Sequence, residues 1–174
     1  KKIVNITLLF IAKRLTEIFG FLVLSAGIFL FVSLVSYSPE DPNFIFPENT
    51  EINNLLGFQG SYISDLFFQS FGQIAYLIPI TYLFTGINIF RKKEIFLFIE
   101  NTFFIVIYTL IGSIFFSYFY KDTLTFYING NGGFIGNYFN QILLKYLNSS
   151  YETSLYYIFI FFIIIIFLIS INFN

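Results

Sequence analysis

The chain has 174 residues and a formal net charge of −1, and 57% of its residues are hydrophobic while only 11% are charged. Soluble domains average roughly 25% charged residues, so this composition excludes an ordinary cytoplasmic enzyme, a disordered tail and a basic nucleic-acid-binding surface. The chain contains no His, Cys or Met, which removes the commonest general base and every thiolate metal ligand. Lipid is therefore the expected solvent, and the missing Met indicates a processed chain or an excised piece.

The first twelve residues form an apolar stretch that begins with two lysines. A secretory signal peptide shares this pattern, but its cleavage site needs small residues, and Lys13 and Arg14 follow here instead. We therefore interpret this segment as an interfacial helix that leads into the first membrane span.

Four stretches have close to the 20 apolar residues needed to cross a hydrocarbon core about 30 Å thick. They are predicted at 18–37, 73–90, 101–120 and 153–172. Pro79 lies inside the second span and is expected to kink it. The predicted fold class is an all-α integral membrane protein, in which four transmembrane helices form two hairpins within a single polytopic domain over residues 1–174.

Lysine and arginine mark one side of the membrane. Seven of the nine precede the first span or lie between the second and third, namely Lys1, Lys2, Lys13, Arg14, Arg91, Lys92 and Lys93. The positive-inside rule then places both termini and the 91–94 turn in the cytoplasm. The loops 38–72 and 121–152 are predicted to be extracytoplasmic.

These two loops resemble each other. The run GFQGSY at 57–62 is similar to GFIGNY at 133–138, and each opens a short amphipathic segment. The apolar positions recur at helical spacing and are Tyr62, Ile63, Leu66, Phe67 and Phe71, then Tyr138, Phe139, Ile142, Leu143, Tyr146 and Leu147. Helices this short suit the interface rather than a span. Chance similarity is the alternative to a parallel internal repeat about an axis along the membrane normal.

The polar residues at the centres of the predicted spans are uncharged. No ionisable residue lies at the centre of a span, so a carboxylate-lined ion pathway is not expected. The polar residues are Ser25, Ser33, Thr81, Thr85, Asn88, Thr109, Ser113 and Ser117. With the neighbouring small residues they are interpreted as helix–helix contacts, and a hydroxyl-lined pore is the alternative.

The loops offer no catalytic or cofactor-binding pattern either. Glu40, Asp41 and Asp65 could pair for acid–base chemistry, but SPEDP at 38–42 is more simply a turn that ends the first helix. The glycine-rich run at 130–133 has no dinucleotide fingerprint or phosphate-loop lysine after it. We therefore predict no enzyme activity, no cofactor and no metal.

Two runs in the first half, SYSPEDPNF at 36–44 and NLLGFQGSYISDLFFQSFG at 54–72, resemble the N-terminal four-span membrane domain of the FtsK-type DNA translocases. AYLIP at 75–79, the basic turn at 91–93 and the glycine-rich stretch at 130–136 are also similar to that family. The candidate motif and interaction residues are Ser36, Tyr37, Ser38, Pro39, Asp41, Pro42, Gly57, Gly60, Asp65, Phe71, Gly72 and Pro79.

The resemblance implies the membrane anchor of a translocase in the bacterial inner membrane, which localises to the division septum and helps a cytoplasmic motor assemble as a ring. The sequence has no Walker motif, so the family's ATP-driven DNA pumping and direct nucleic-acid binding are not assigned to it. The implied partners are the lipid bilayer, further copies of the chain in a homo-oligomer, and other division proteins.

A small transporter or channel subunit is the alternative function. It would need a polar site near the membrane midplane, for which Pro79, Thr81, Thr85 and Asn88 are the only candidates. A membrane-embedded enzyme would require a nucleophile and a base within the spans, and the sequence has no His or Asp there.

Overall fold

The computed structural model describes residues 2–42, 51–121, 128–143 and 152–172, with side chains of the first helix described from residue 7. All regular secondary structure in these ranges is helical. The helices are α1 (Lys2–Val35), α2 (Gly57–Phe71), α3 (Leu77–Lys92), α4 (Phe96–Phe119), α5 (Gly133–Leu143) and α6 (Glu152–Ser170), and a 3₁₀ segment (Gly72–Tyr76) joins α2 to α3.

The four predicted membrane helices are confirmed as helices that are long and apolar enough to cross a membrane. In the second, the α-helix is interrupted at Gly72, whose φ of 71° lies outside the helical region. The 16 residues of α3 rise about 24 Å and the five of the 3₁₀ segment about 10 Å more. Together they cover the hydrocarbon core, so α2 lies outside the crossing segment.

The predicted interfacial lead-in is not a separate element. Helix α1 runs without interruption for 34 residues from Lys2 to Val35, because no proline or glycine precedes Gly20 to break it. At about 1.5 Å per residue its length exceeds the ~30 Å hydrocarbon core. The amino-terminal segment therefore continues directly into the first span.

The spans pack as two hairpins, α1 on α3 and α4 on α6, joined through α3 and α4. Glycines bring the backbones of α1 and α3 together: a Cβ on Gly86 would lie 2.6 Å from the Leu24 backbone nitrogen, and one on Gly20 would lie 3.0 Å from the Gly86 carbonyl oxygen. Small residues allow this close approach in lipid, where apolar burial gives little drive for association. The two-hairpin arrangement is thus confirmed.

Pro79 does not kink the middle of a helix. It is buried in the first turn of α3, three residues after the N-cap Tyr76. In a first turn the missing N–H of proline breaks no intrahelical hydrogen bond. The irregularity of the second span instead lies at Gly72 and the 3₁₀ segment, three to seven residues earlier in the chain.

The apolar core is centred where α2, the 3₁₀ segment and α3 meet α4. Its buried side chains are Leu30, Leu34, Phe68, Ile74, Ala75, Ile78, Ile105, Tyr108, Phe115 and Ile163. Large apolar side chains elsewhere on the spans face outward, such as Phe21 on α1 and Phe161 on α6, which are 62% and 60% exposed. Lipid is the expected neighbour of these faces.

Candidate functional site

The end of the bundle at which α1 and α4 terminate carries α2, α5 and the described parts of the loops that precede these two helices, and we call it the loop end. Polar side chains from these elements form a hydrogen-bonded layer there, which we call the polar cap. Its main members are Ser33, Ser36, Asp41, Asn54, Ser61, Asp65, Gln69, Gln73, Ser113, Ser117, Asn129, Asn131 and Asn137.

Asp41 joins the turn after α1 to the loop before α2. The turn itself closes through the Asp41 N–H, which donates to the Ser38 carbonyl at 3.3 Å. The Asp41 carboxylate is 4% exposed and accepts the backbone N–H groups of Asn53 and Asn54, each at 2.8 Å. A carboxylate held by two N–H groups across 12 residues fixes the loop geometry, so Asp41 has a structural role rather than an acid–base one.

Asn54 caps the end of α1. Its Nδ2 donates to the carbonyl oxygens of Ser33 and Ser36 at 2.9 and 3.1 Å, and its Oδ1 accepts the Leu56 N–H at 3.1 Å. The last carbonyls of a helix have no intrahelical partner, and a buried one left unpaired is costly. Sequence reasoning did not single out this residue, since an asparagine 18 residues beyond the carbonyl it caps gives no local signal.

Gly60 and Ser61 fit α2 against α1. The Ser33 hydroxyl donates to the Gly60 carbonyl at 2.5 Å, and the Ser61 hydroxyl donates to the Pro42 carbonyl at 2.7 Å. A Cβ on Gly60 would lie 2.1 Å from the Asn54 Oδ1. Glycine is therefore required for contact with the Asn54 amide. The hydrogen bond from Ser61 to Pro42 joins the two runs of the predicted motif, 36–44 and 54–72.

Asp65 lies on the inward face of α2 and is 5% exposed. Its Oδ1 accepts from Gln69 Nε2 at 3.2 Å and, at the outer limit of a hydrogen bond, from the Tyr37 hydroxyl at 3.5 Å. Burial raises the pKa of Asp65 above its ordinary value, and these two hydrogen bonds oppose that rise. The Tyr37 ring packs edge-on against Phe68 with centroids 4.9 Å apart.

The polar face of α2 therefore packs on the protein, and the apolar side chains Phe58 and Leu66 are 50% and 54% exposed. Helix α5 has the same arrangement, with Phe134 and Tyr138 61% and 53% exposed. Both helices are the predicted short amphipathic elements, and these exposed side chains are available to lipid. The rest of the α2 stripe is partly buried, since Ile63, Phe67 and Phe71 pack against the core. The later positions of the second predicted stripe, Tyr146 and Leu147, lie outside the described residues.

The two halves of the chain interlock at the cap through amide side chains. Asn129 donates its backbone N–H to Gln69 Oε1 at 3.0 Å and its Nδ2 to the Gln69 carbonyl at 3.1 Å. Gln73 donates its N–H to the Asn131 carbonyl at 2.9 Å and its Nε2 to Asn131 Oδ1 at 3.0 Å. Residues about 60 positions apart in the chain thus hold the two loops of the loop end together.

Glycines allow this junction. Gly72 and Gly133 have φ values of 71° and 64°, which side chains adopt at a cost. A Cβ on Gly72 would lie 1.9 Å from the Asn131 carbonyl oxygen, and one on Gly133 would lie 2.6 Å from the Ser70 carbonyl. Both the backbone angle and the contact therefore require glycine. Gly57 also has a positive φ, 63°, but a Cβ there would meet nothing within 4 Å.

Helix α5 rests on α4 much as α2 rests on α1. The Ser117 hydroxyl donates to Asn137 Oδ1 at 2.7 Å, and a Cβ on Gly136 would lie 2.1 Å from the Ser113 carbonyl oxygen. In both cases a glycine of a short helix contacts a polar residue near the end of the preceding span, as Gly60 does with Ser33. This correspondence supports the internal repeat predicted from the sequence.

Polar groups inside the bundle join helices to one another. Thr81 lies 3.1 Å from the Tyr108 hydroxyl and 3.0 Å from the Ser170 hydroxyl, which links α3 to α4 and α6. Asn101 Nδ2 donates to the Thr85 hydroxyl at 2.8 Å. The interpretation as helix–helix contacts agrees with these bonds for Thr81 and Thr85. It is wrong for Ser25, which is exposed and whose hydroxyl donates to the Phe21 carbonyl of its own helix at 2.9 Å.

The predicted motif residues divide by position. Most lie in the corner between α1 and α2, namely Ser36, Tyr37, Ser38, Pro39, Asp41, Pro42, Gly57, Gly60 and Asp65. Phe71 and Gly72 belong to the junction with the second half, where the Ser113 hydroxyl donates to the Phe71 carbonyl at 2.9 Å. Pro79 lies apart, in α3. Among the described residues, no group of three or more acidic side chains could hold a metal ion.

Comparison with known proteins gives the family. Residues 12–174 match the family described as the 4TM region of DNA translocase FtsK/SpoIIIE. The DNA translocase FtsK of Rickettsia typhi is 29% identical over 132 residues, which cover 76% of this chain and 17% of that protein. That of Rickettsia bellii is 43% identical over 60 residues, 34% of this chain and 8% of that protein.

The DNA translocase FtsK of Azospirillum brasilense is 33% identical over 88 residues, which cover 49% of this chain and 14% of that protein. The chain therefore spans less than a fifth of the length of these relatives. No solved structure matches it. The chain belongs to the family of four-span membrane regions of the FtsK/SpoIIIE DNA translocases.

Proposed function

We propose that the chain is the membrane anchor and interaction domain of a cell-division DNA translocase, and that it localises and assembles a cytoplasmic motor at the division septum. Family membership over residues 12–174 supports the first part. The observation that carries the interaction role is the polar cap, because its buried hydrogen bonds hold the two loops of the loop end as one surface.

A fixed surface favours recognition of a partner, since little conformational entropy is lost on binding. The two carboxylates proposed for such contact, Asp41 and Asp65, are buried and bonded within the protein. Among the described residues of the loop 38–72, the exposed acidic ones are Glu40 and Glu51. We propose that an extracytoplasmic division protein contacts the cap around these two residues.

The opposite end of the bundle, which we call the basic end, is where the motor would attach. Glu17 on α1 forms ion pairs with Arg14 at 2.6 Å and with Lys93 at 2.7 Å. The second pair ties the turn between α3 and α4 to the first helix. The Lys93–Glu17 pair is partly accessible to solvent and contributes little stability by itself. We propose that it aligns the two hairpins.

Midcell localisation is the test of the anchor role. The chain is fused to a fluorescent reporter and expressed in a dividing bacterium, with Glu40→Lys and Glu51→Lys as surface variants. We expect a midcell band for the parent chain and loss of that band when both charges are reversed. Uniform membrane fluorescence of the parent chain would refute the anchor role, and unchanged localisation of the double variant would refute the contact surface.

Assembly as a homo-oligomer is the second element of the proposal. Helix α6 offers the surface, since Phe161 and Ile164 are 60% and 51% exposed. Cysteine cross-linking suits the test because the chain has no native cysteine. We expect disulfide-linked dimers from a single cysteine at position 161 or 164, and monomers at every oxidation time would count against assembly through this helix.

A transporter subunit is the alternative, favoured by one observation. Asn101 Oδ1 and Thr102 Oγ1 are buried without a hydrogen-bond partner among the described residues, and buried polar atoms of this kind can mark a solvated path. Flux of ions or small solutes through liposomes that is lost on Thr85→Val or Asn88→Leu would establish this function. Absence of flux for the parent chain would dismiss it.

A further inference from the structure

A polar cavity of about 530 Å³ lies at the basic end, lined by Asn88, Arg91, Lys92 and Asn172. The first three belong to the last turns of α3, and Asn172 follows α6. Cavities of several hundred Å³ are large enough for a small ligand or a lipid headgroup. The proposed anchor function makes no use of this cavity.

Asparagine amides fix one wall of the cavity. Asn88 Nδ2 donates to the Ile171 carbonyl at 3.3 Å and to Asn172 Oδ1 at 3.4 Å, and Asn101 Nδ2 donates to the same Oδ1 at 3.2 Å. The side-chain oxygen of Asn172 thus accepts from two donors. The N–H groups of the same amide have no acceptor among the described residues. These N–H groups are available to an acceptor in the cavity.

The two basic side chains of the cavity have no acidic partner in the described structure. Both ion pairs recorded there are made by Glu17, with Arg14 and Lys93. Arg91 and Lys92 are exposed, and Glu94, the next carboxylate along the chain, pairs with neither. Two cations beside free amide donors form an environment that favours an anion with several acceptor oxygens.

The position of the cavity indicates the source of that anion. Phe90 and Ile87, just before Arg91 on α3, are 50% and 42% exposed and belong to the apolar surface of the span. Basic side chains at the end of a span extend to the headgroup region, and basic pockets between membrane helices are a known setting for anionic lipid headgroups.

We propose that this cavity binds the phosphate group of an anionic phospholipid. Arg91 and Lys92 supply the charge, and the Asn172 amide donates a hydrogen bond to a phosphate oxygen. The site is independent of the proposed septal role, because it needs only the bundle and a membrane that contains anionic lipid.

Native mass spectrometry of the purified chain in a neutral detergent tests the proposal. The chain is titrated with phosphatidylglycerol, with phosphatidylcholine and with inorganic phosphate. Variants are Arg91→Gln, Lys92→Gln and Asn172→Ala. Lys13→Gln is the matched control, since Lys13 is an exposed basic residue of the same end that does not line the cavity. Circular dichroism and elution volume verify that each variant is folded.

We expect the parent chain to retain phosphatidylglycerol in preference to phosphatidylcholine. Removal of Arg91 or of Lys92 should weaken this binding roughly fivefold, since each lines the cavity and supplies a direct contact to the phosphate, and one such basic residue contributes about that factor. Asn172→Ala should weaken it without any change in net charge, and Lys13→Gln should leave it within about twofold.

Three results would overturn the proposal. The first is a parent chain that does not discriminate between the two lipids. The second is a Lys13→Gln variant that loses as much affinity as Arg91→Gln, which would indicate diffuse attraction rather than a site. The third is competition by inorganic phosphate at the same concentration as the lipid, which would assign the cavity to free phosphate.

Discussion

Gly72 is the position at which a single methyl group should do most damage to the polar cap. Its backbone has φ 71° and ψ −148°, a region that is essentially confined to glycine, and a residue held in such a region costs about 1–3 kcal/mol. The added Cβ would also lie 1.9 Å from the Asn131 carbonyl oxygen, and overpacking of this kind costs about 1–3 kcal/mol more. Gly72→Ala should therefore destabilise the fold by about 2–6 kcal/mol.

Gly57→Ala is the matched control, because Gly57 has a similar φ of 63° while a Cβ there would meet nothing within 4 Å. It should cost only about 1–2 kcal/mol, the backbone contribution alone. Reversible unfolding of both variants in mixed micelles, followed by circular dichroism, gives the two free energies. Equal losses in the two variants would refute the contact with Asn131 as a determinant of stability.

Three other substitutions probe the remaining contacts. Asn54→Ala should lower the free energy of unfolding by about 1–3 kcal/mol, since it leaves buried carbonyls of α1 unpaired, and a smaller effect than that of Asn53→Ala would contradict the capping role. Gly86→Val should separate α1 from α3, because its Cβ would lie 2.6 Å from the Leu24 nitrogen, and retained cross-linking between cysteines placed in these helices would contradict this. Asp65→Asn should be neutral or stabilising at pH 7. The folded-state pKa of Asp65 is raised by burial, so its contribution to stability is present below the unfolded pKa of about 3.9 and is lost as the pH rises through the folded pKa. Between these two pKa values, the free energy of unfolding of the parent chain should therefore fall relative to that of Asp65→Asn. Parallel curves of unfolding free energy against pH for the two proteins would refute a contribution from Asp65.

The spans could be predicted from the sequence because their signal is local. Twenty consecutive apolar residues require a helix in lipid, where every backbone N–H and carbonyl must be paired within the segment. The short helices α2 and α5 were predictable for a similar reason, since apolar spacing and an opening glycine lie within one or two turns. The exact start of α1 was not, because nothing in the first 17 residues separates an interfacial helix from an extension of the span.

The contacts of the cap could not be predicted, because they join residues with no shared periodicity. The turn at 38–42 was foreseen, but not that the Asp41 carboxylate would accept N–H groups 12 and 13 residues later. The pairing of Gln69 with Asn129 is more distant still. Asparagine and glutamine in a loop can bond to any nearby backbone group, so the sequence identifies them as polar without indicating their partners.

The two ends of the bundle use their charged groups in opposite ways. At the loop end, Asp41 and Asp65 are buried and bonded inside the protein, so substitutions there should act first on stability. At the basic end, Arg91 and Lys92 are exposed and have no partner in the described structure, so substitutions there should spare the fold and act on what the membrane supplies. This asymmetry suits a membrane domain that presents a fixed protein surface on one side of the bilayer and contacts lipid headgroups on the other.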